Sequence, residues 1–173
     1  LGKGEFYSID VSGMRGGHSG VNINDNRGNA ILVLRHKLSI LPRGARLVSI
    51  DGGQAMNAIP AFAKTVVFIP NADEDPPEKL LDPIMRSAGK TSDRGLESRM
   101  TYRKMDREEA QLGVISADQH QRIMDVLGTV PNGVLAMSDD VTGLVQTSSN
   151  LGVIKTTDDS VEMKFAVRSS LDY

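Results

Sequence analysis

The sequence contains no cysteine, no tryptophan and only 4% aromatic residues. Without cysteine there are no disulfides and no thiolate metal ligands, and that absence fits a reducing compartment, so a cytoplasmic location is expected. The three histidines, His18, His36 and His120, are far apart in sequence and form no H-x-x-x-H pair. A complete metal site within this chain is therefore not expected. No apolar run approaches the ~20 residues that cross a bilayer, so no membrane-spanning helix is expected. Charge of one sign is also missing: 20 Lys and Arg stand against 22 Asp and Glu, a net charge of -2. With no basic stripe interleaved with aromatics, nucleic acid is not an expected partner. The opening Leu1-Gly2-Lys3-Gly4 reads as neither a signal peptide nor an initiator methionine, and the chain reads as a piece of something larger.

What the chain does have is an ordinary globular composition, 39% hydrophobic over 173 residues, enough for one compact unit. Its most pronounced local feature is Gly13-Met14-Arg15-Gly16-Gly17-His18-Ser19-Gly20, directly after a strand-like run at residues 5–12. Glycine at that density lets the backbone turn sharply and approach a partner closely, which presents His18 rather than packing it. A flexible turn that carries a solvated histidine is the plainer alternative.

Further along, Ile31, Leu34, Leu38 and Leu41 share one face of a predicted helix over 30–41, with His36 on the polar side and Pro42 and Gly44 ending it. Residues 45–51 read as a strand in which Leu47 and Ser49 point opposite to Val48 and Ile50, and 61–69 as another. Asp75-Pro76-Pro77 opens a helix carrying Leu80, Leu81, Ile84 and Met85, which Pro83 should kink or shorten. Residues 87–94 read as a loop and 96–105 as a strand with Met100, Tyr102 and Lys104 facing one way. A helix over 116–127 has Ile123, Met124 and Leu127 as its stripe and Gly128 as its stop. Pro131-Asn132-Gly133 is a turn. The end reads as a hairpin, 143–156 and 161–168, around Thr157-Asp158-Asp159-Ser160. The order implies an α+β fold, a mainly antiparallel sheet with helices on one face. Asn57-Ala58-Ile59-Pro60 and Asn150-Leu151-Gly152-Val153-Ile154 echo each other faintly, as an old duplication would.

The acidic pairs Glu108-Glu109, Asp139-Asp140 and Asp158-Asp159 fit solvated faces better than catalytic dyads. The glycine loop lacks both phosphate-cradle patterns, G-x-x-x-x-G-K-[ST] and G-x-G-x-x-G. A recognition set remains: His18 on its loop, Asn57 after Gly52-Gly53, and Arg168 at the end of an alternating strand. An arginine fork and an asparagine amide together can hold an anionic end group. Taken singly, Asn57 reads as a turn asparagine and Arg168 as a surface arginine.

The string Gly13-x-x-Gly16-Gly17-His18-Ser19-Gly20 does not stand alone. With Arg27-Gly28-Asn29-Ala30, Gly52-Gly53, Asn57-Ala58-Ile59-Pro60, Pro131-Asn132-Gly133-Val134, Gln146-Thr147-Ser148-Ser149-Asn150-Leu151-Gly152-Val153 and Val167-Arg168-Ser169, it resembles the bacterial aminoacyl-histidine dipeptidases. These Xaa-His dipeptidases, peptidase D or bacterial carnosinases, belong to the superfamily of metal-dependent aminoacylases and carboxypeptidases. The similarity runs in order over essentially the whole chain and covers only the inserted lid, or dimerisation, domain. It implies that residues 1–173 form one lid domain, ferredoxin-like and enlarged by an insertion or duplication, of a two-domain metallopeptidase. Two zinc ions and a general-base glutamate would then lie in a catalytic domain absent here. By motif, the resemblance gives His18 oxyanion stabilisation, and Asn57 and Arg168 the substrate's C-terminal carboxylate. The H-x-D motif, the catalytic Glu-Glu pair and the other metal ligands are missing, so this chain alone should be inactive and bind no zinc. Expected partners are a dipeptide substrate, the catalytic domain of the same polypeptide, and a second copy in a homodimer. The competing reading is a non-catalytic α+β module for dimerisation or small-ligand sensing.

Overall fold

The computed structural model describes residues 3–71, 77–86, 99–110 and 113–171. In chain order the elements are β1 (Gly4–Ser12), β2 (Gly17–His18), α1 (Ala30–Leu38), β3 (Arg46–Gly52), β4 (Ala58–Ile59), β5 (Ala63–Pro70), α2 (Pro77–Arg86), β6 (Arg99–Met105), α3 (Ala117–Thr129), β7 (Gly133–Met137), β8 (Val145–Thr156) and β9 (Val161–Ser169). The main sheet runs β6-β1-β5-β3-β8-β7 with β9 also on β8, and every pairing in it is antiparallel. Strand β8 takes β9 along Thr147–Thr156; its other edge takes β7 at residues 145–149 and β3 at Ile154.

The three helices cover one face, as the α+β reading expects. Tyr7, Ile9 and Val11 of β1, with Val67 and Ile69 of β5, form one core with Ile31, Leu34 and Leu38 of α1, Leu81 and Met85 of α2, and Leu127 of α3. Each such side chain taken fully out of water contributes ~1.5–3 kcal/mol. Helix α1 begins where Asn29 Oδ1 accepts from the N–H groups of Ile31 and Leu32, and it ends at Leu38 rather than Leu41, with Ser39 as its cap. Buried Lys37 donates from Nζ to Ile84 O, linking α1 to α2, and burial pushes its pKa down. Tyr7 Oη donates to Glu78 Oε1 at 2.8 Å and Tyr102 Oη to Asp82, which fixes α2 over β1 and β6. Pro83 sits inside α2 without ending it. The expected loop at 87–94, the helix opener Asp75-Pro76 and the first residues of the expected strand at 96–98 lie outside the described residues.

The structure departs from the sequence reading in several places. The 45–51 strand does not alternate cleanly: a bulge between Leu47 and Ser49 puts Leu47 and Ile50 on the helix side, while Val48 joins Phe6, Val66, Phe68 and Ala110 on the other. Gly128 does not stop α3, which continues to Thr129. A Cβ at Gly128 would meet only the guanidinium of Arg35 from α1, 3.1 Å from Nη2. Strand β7 has no counterpart in the sequence reading. The echo pair also occupies unlike places, since Asn57 precedes the two-residue β4 and Asn150 lies mid-way along β8.

Candidate functional site

Asn150 pairs with Ala166 and Ser148 with Arg168 across β8 and β9, whereas the neighbouring pair Leu151 and Phe165 belongs to the helix-side core. By alternation, Ser148, Asn150 and Arg168 share the opposite face. Two loops cover that face: residues 13–29 and 53–62. They are joined by a two-stranded ladder in which Gly17 pairs with Ile59 and His18 with Ala58.

The glycines of the first loop have a steric reason. Gly16 and Gly17 have φ of 62° and 139°, and a Cβ on Gly17 would lie 2.8 Å from Asn22 Oδ1 and collide with the Arg27 guanidinium. Arg27 Nη1 donates to Gly16 O at 2.7 Å and its Nη2 meets Asp25 at 2.8 Å. Hydrogen bonds from Asn22 and then Arg27 hold the Asp25 carboxyl below the usual range. The histidine is thereby fixed in backbone: its N–H donates to Asn22 Oδ1 at 3.0 Å and its carbonyl accepts from Val21 and Asn22.

The ring of His18 is exposed, and its Nδ1 accepts from Gly20 N–H at 3.1 Å. An accepting Nδ1 leaves the proton of the neutral ring on Nε2, which becomes a hydrogen-bond donor. Arg168 reaches the same place. A Cβ on Gly20 would lie 3.0 Å from His18 Cε1 and 3.3 Å from Arg168 Cζ and Nε, so the imidazole and the guanidinium flank one glycine. Arg168 Nη1 donates to the Oγ of buried Ser19 at 2.8 Å, and among the described residues no carboxylate pairs with Arg168. Four further N–H donors of its fork remain for an anion.

Asn57 is joined to this pair through its backbone. Ser19 N donates to Asn57 O at 2.8 Å, while the Asn57 side chain is exposed and has no partner among the described residues. The structure thus brings His18 and Arg168 side by side and places Asn57 on the adjoining strand connection. Sequence reasoning did not single out Ser19, which contacts both Arg168 and Asn57, or Asn150, whose Nδ2 donates to Met56 O and Ala58 O at 3.1 and 2.8 Å. Asn29 Nδ2 and Asn132 Oδ1 hold Leu151 O and Leu151 N at 2.9 and 2.8 Å. The asparagine motifs quoted above therefore converge on one seam between β8 and the loops.

The other histidines are elsewhere. His36 is exposed on α1; His120 is half-buried on α3, accepting at Nδ1 from Leu47 N–H, and burial lowers its pKa. Among the described residues, no group of three or more His, Asp or Glu side chains is placed to hold a metal ion, and no helix is long and apolar enough to cross a membrane. A cavity of about 460 Å³ opens between β3, the N-terminal half of α3 and the β8–β9 turn, and none of His18, Asn57 or Arg168 lines it.

Comparison with known proteins gives these contacts a family. Residues 9–95 match the family described as Peptidase dimerisation domain. The chain is 29% identical over 178 aligned residues to the Cytosol non-specific dipeptidase of Escherichia coli (strain K12), an alignment covering 97% of this chain and 35% of that protein. The fold matches the crystal structure of aminoacylhistidine dipeptidase from Vibrio alginolyticus with a TM-score of 0.80 and 30% identity, over 99% of this chain and 35% of that one. The chain thus spans about a third of the length of both relatives. By the family match over half its length, it belongs to the peptidase dimerisation domain family.

Proposed function

We propose that residues 1–173 are the lid domain of a two-domain, cytoplasmic, zinc-dependent dipeptidase that cleaves Xaa-His and related dipeptides. The family match, the two dipeptidase relatives and the His18–Arg168 arrangement support this reading. The residues described here do not fit a zinc site: the three histidines stand on separate elements, and His120 already accepts a backbone hydrogen bond. Both ions therefore belong to the catalytic part of the polypeptide, and this chain alone is inactive.

What this chain supplies is recognition and charge stabilisation. The observation that carries the reading is the Gly20 N–H bond to His18 Nδ1, which leaves Nε2–H directed to other partners beside the Arg168 fork. As the scissile carbonyl gains negative charge, a donor fixed in that tautomer stabilises the oxyanion, an effect worth ~2.7–4 kcal/mol for one such donor. Arg168 and Asn57 bind the substrate's C-terminal carboxylate, whose charge is the same before and during reaction. Their contribution falls on KM, that of His18 on kcat.

The family description also supports a homodimer. The apolar side chains left exposed along and after β7, Leu135, Met137, Val141 and Leu144, suit that pairing. The test of the whole reading is a metal and activity assay on this chain beside the full-length protein, with a Xaa-His dipeptide as substrate. Zinc and hydrolysis in the full-length protein alone support the lid reading. Failure of both proteins to hydrolyse the dipeptide would favour a non-catalytic dimerisation module.

A further inference from the structure

Three consecutive carbonyls of the loop carrying Asn57 are held from two sides. Asn150 Nδ2 donates to Met56 O at 3.1 Å and to Ala58 O at 2.8 Å, and Ser19 N donates to Asn57 O between them. Asn150 is 1% exposed, and its Oδ1 has no partner among the described residues. An unpaired acceptor in a buried place is destabilising, and an apolar residue would avoid it. No apolar residue could supply two N–H donors from one atom. Aspartate, with the same outline, would set a carboxylate against two carbonyl oxygens. The loop also lies directly on β8, because a Cβ at Gly152 would come within 2.6 Å of Ala55 O. Asn150 and Arg168 stand on one face of the paired strands β8 and β9, two positions apart in register.

We propose that Asn150 is a positioning residue for the substrate carboxylate: by holding the carbonyls on both sides of Asn57, it sets the Asn57 amide in register with Ser19 and Arg168. It touches no substrate itself. The inference rests on the carboxylate role given above to Asn57 and Arg168.

The experiment compares the full-length enzyme with Asn150→Asp, Asn150→Gln, Asn57→Ala, Arg168→Ala and the Asn57→Ala/Asn150→Asp double variant. Each is assayed on a Xaa-His dipeptide and on the same dipeptide with its C-terminus amidated. Asn150→Asp is expected to raise KM for the free acid about tenfold, the loss of one hydrogen bond to a charged group, with kcat unchanged. It should leave the already weak amide substrate unaffected and add nothing to Asn57→Ala. Asn150→Gln keeps the donors but moves them by one methylene, so a smaller rise confined to the free acid is expected. Amide hydrogen exchange at Ser19 should quicken in both Asn150 variants.

Equal losses on acid and amide, or full additivity with Asn57→Ala, would overturn the proposal and leave Asn150 a purely structural residue. If Asn150→Asp does not fold, Asn150→Gln, alone and combined with Asn57→Ala, decides by the same two criteria. If Arg168→Ala and Asn57→Ala themselves fail to separate acid from amide, the carboxylate reading falls and this inference with it. If those two separate the substrates and the Asn150 variants do not, this inference alone is wrong.

Discussion

On one side of the sheet, Tyr7, Ile9, Val11 and Val67 meet Ile31, Leu34 and Leu127 through apolar surface. On the other, at the β8–β9 end, Asn150 and Arg168 meet two loops through a few hydrogen bonds of 2.8–3.1 Å. Apolar contact is non-directional and spread over many atoms, so the helix side stabilises the fold without dictating where any one polar atom lies. Hydrogen bonds and glycine contacts are directional and few. They contribute less stability and more placement, which is what the proposed recognition role needs. The domain thus separates holding together from pointing correctly, and substitutions on the two sides should have different signatures.

The largest effect is expected on the helix side. Leu34, fully buried in the core, should cost ~2–5 kcal/mol when replaced by alanine, read as a lower denaturation midpoint. In the enzyme, the preference for free acid over amide substrate should be kept. His18→Ala should do the reverse. Its ring is exposed, so stability should hold, while kcat of the full-length enzyme falls by about 10²–10³-fold. Next comes Arg168→Lys, which keeps the charge but loses the planar fork. It should raise KM for a free-acid dipeptide by ~1.5–3 kcal/mol equivalent, measured by steady-state kinetics, with kcat nearly unchanged.

The smallest effect is a pH dependence that belongs to the helix side. Burial, and secondarily Arg46, lowers the His120 pKa from 6.5 in the folded chain. The unfolded chain therefore binds a proton more readily than the folded one. Stability should decline as pH falls below 6.5 and level off once the folded-state value is passed. His120→Gln should flatten that slope in chemical denaturation, without altering the substrate preference.

The same division explains what the sequence revealed. Strands β1, β5 and β9 and helices α1 and α3 carry apolar residues at periods of 2 or 3.6, because each buries a regular stripe against the helix-side core. His18 was legible from glycine density and Arg168 from its place at a strand end. Strand β7 was not: Val134-Leu135-Ala136-Met137 does not alternate, and only its pairing with β8 makes it a strand. The Val48 bulge likewise arises from an offset against β5, which no local pattern encodes. Gly128 looked like a helix stop because local rules favour glycine there, and its actual neighbour is Arg35 of another helix. Ser19 and Asn150 acquire their parts through contacts across 149 and 92 residues of sequence. The motifs were visible, but the seam they form was not.

The most direct test of the central claim is the steady-state kinetics of His18→Ala and Arg168→Ala in the full-length enzyme, each with a Xaa-His dipeptide and its C-terminal amide. The account predicts that His18→Ala lowers kcat on both substrates with KM little changed. It predicts that Arg168→Ala raises KM for the free acid only. Equal changes in kcat and KM for both variants, or an Arg168→Ala effect that ignores the carboxylate, would contradict it.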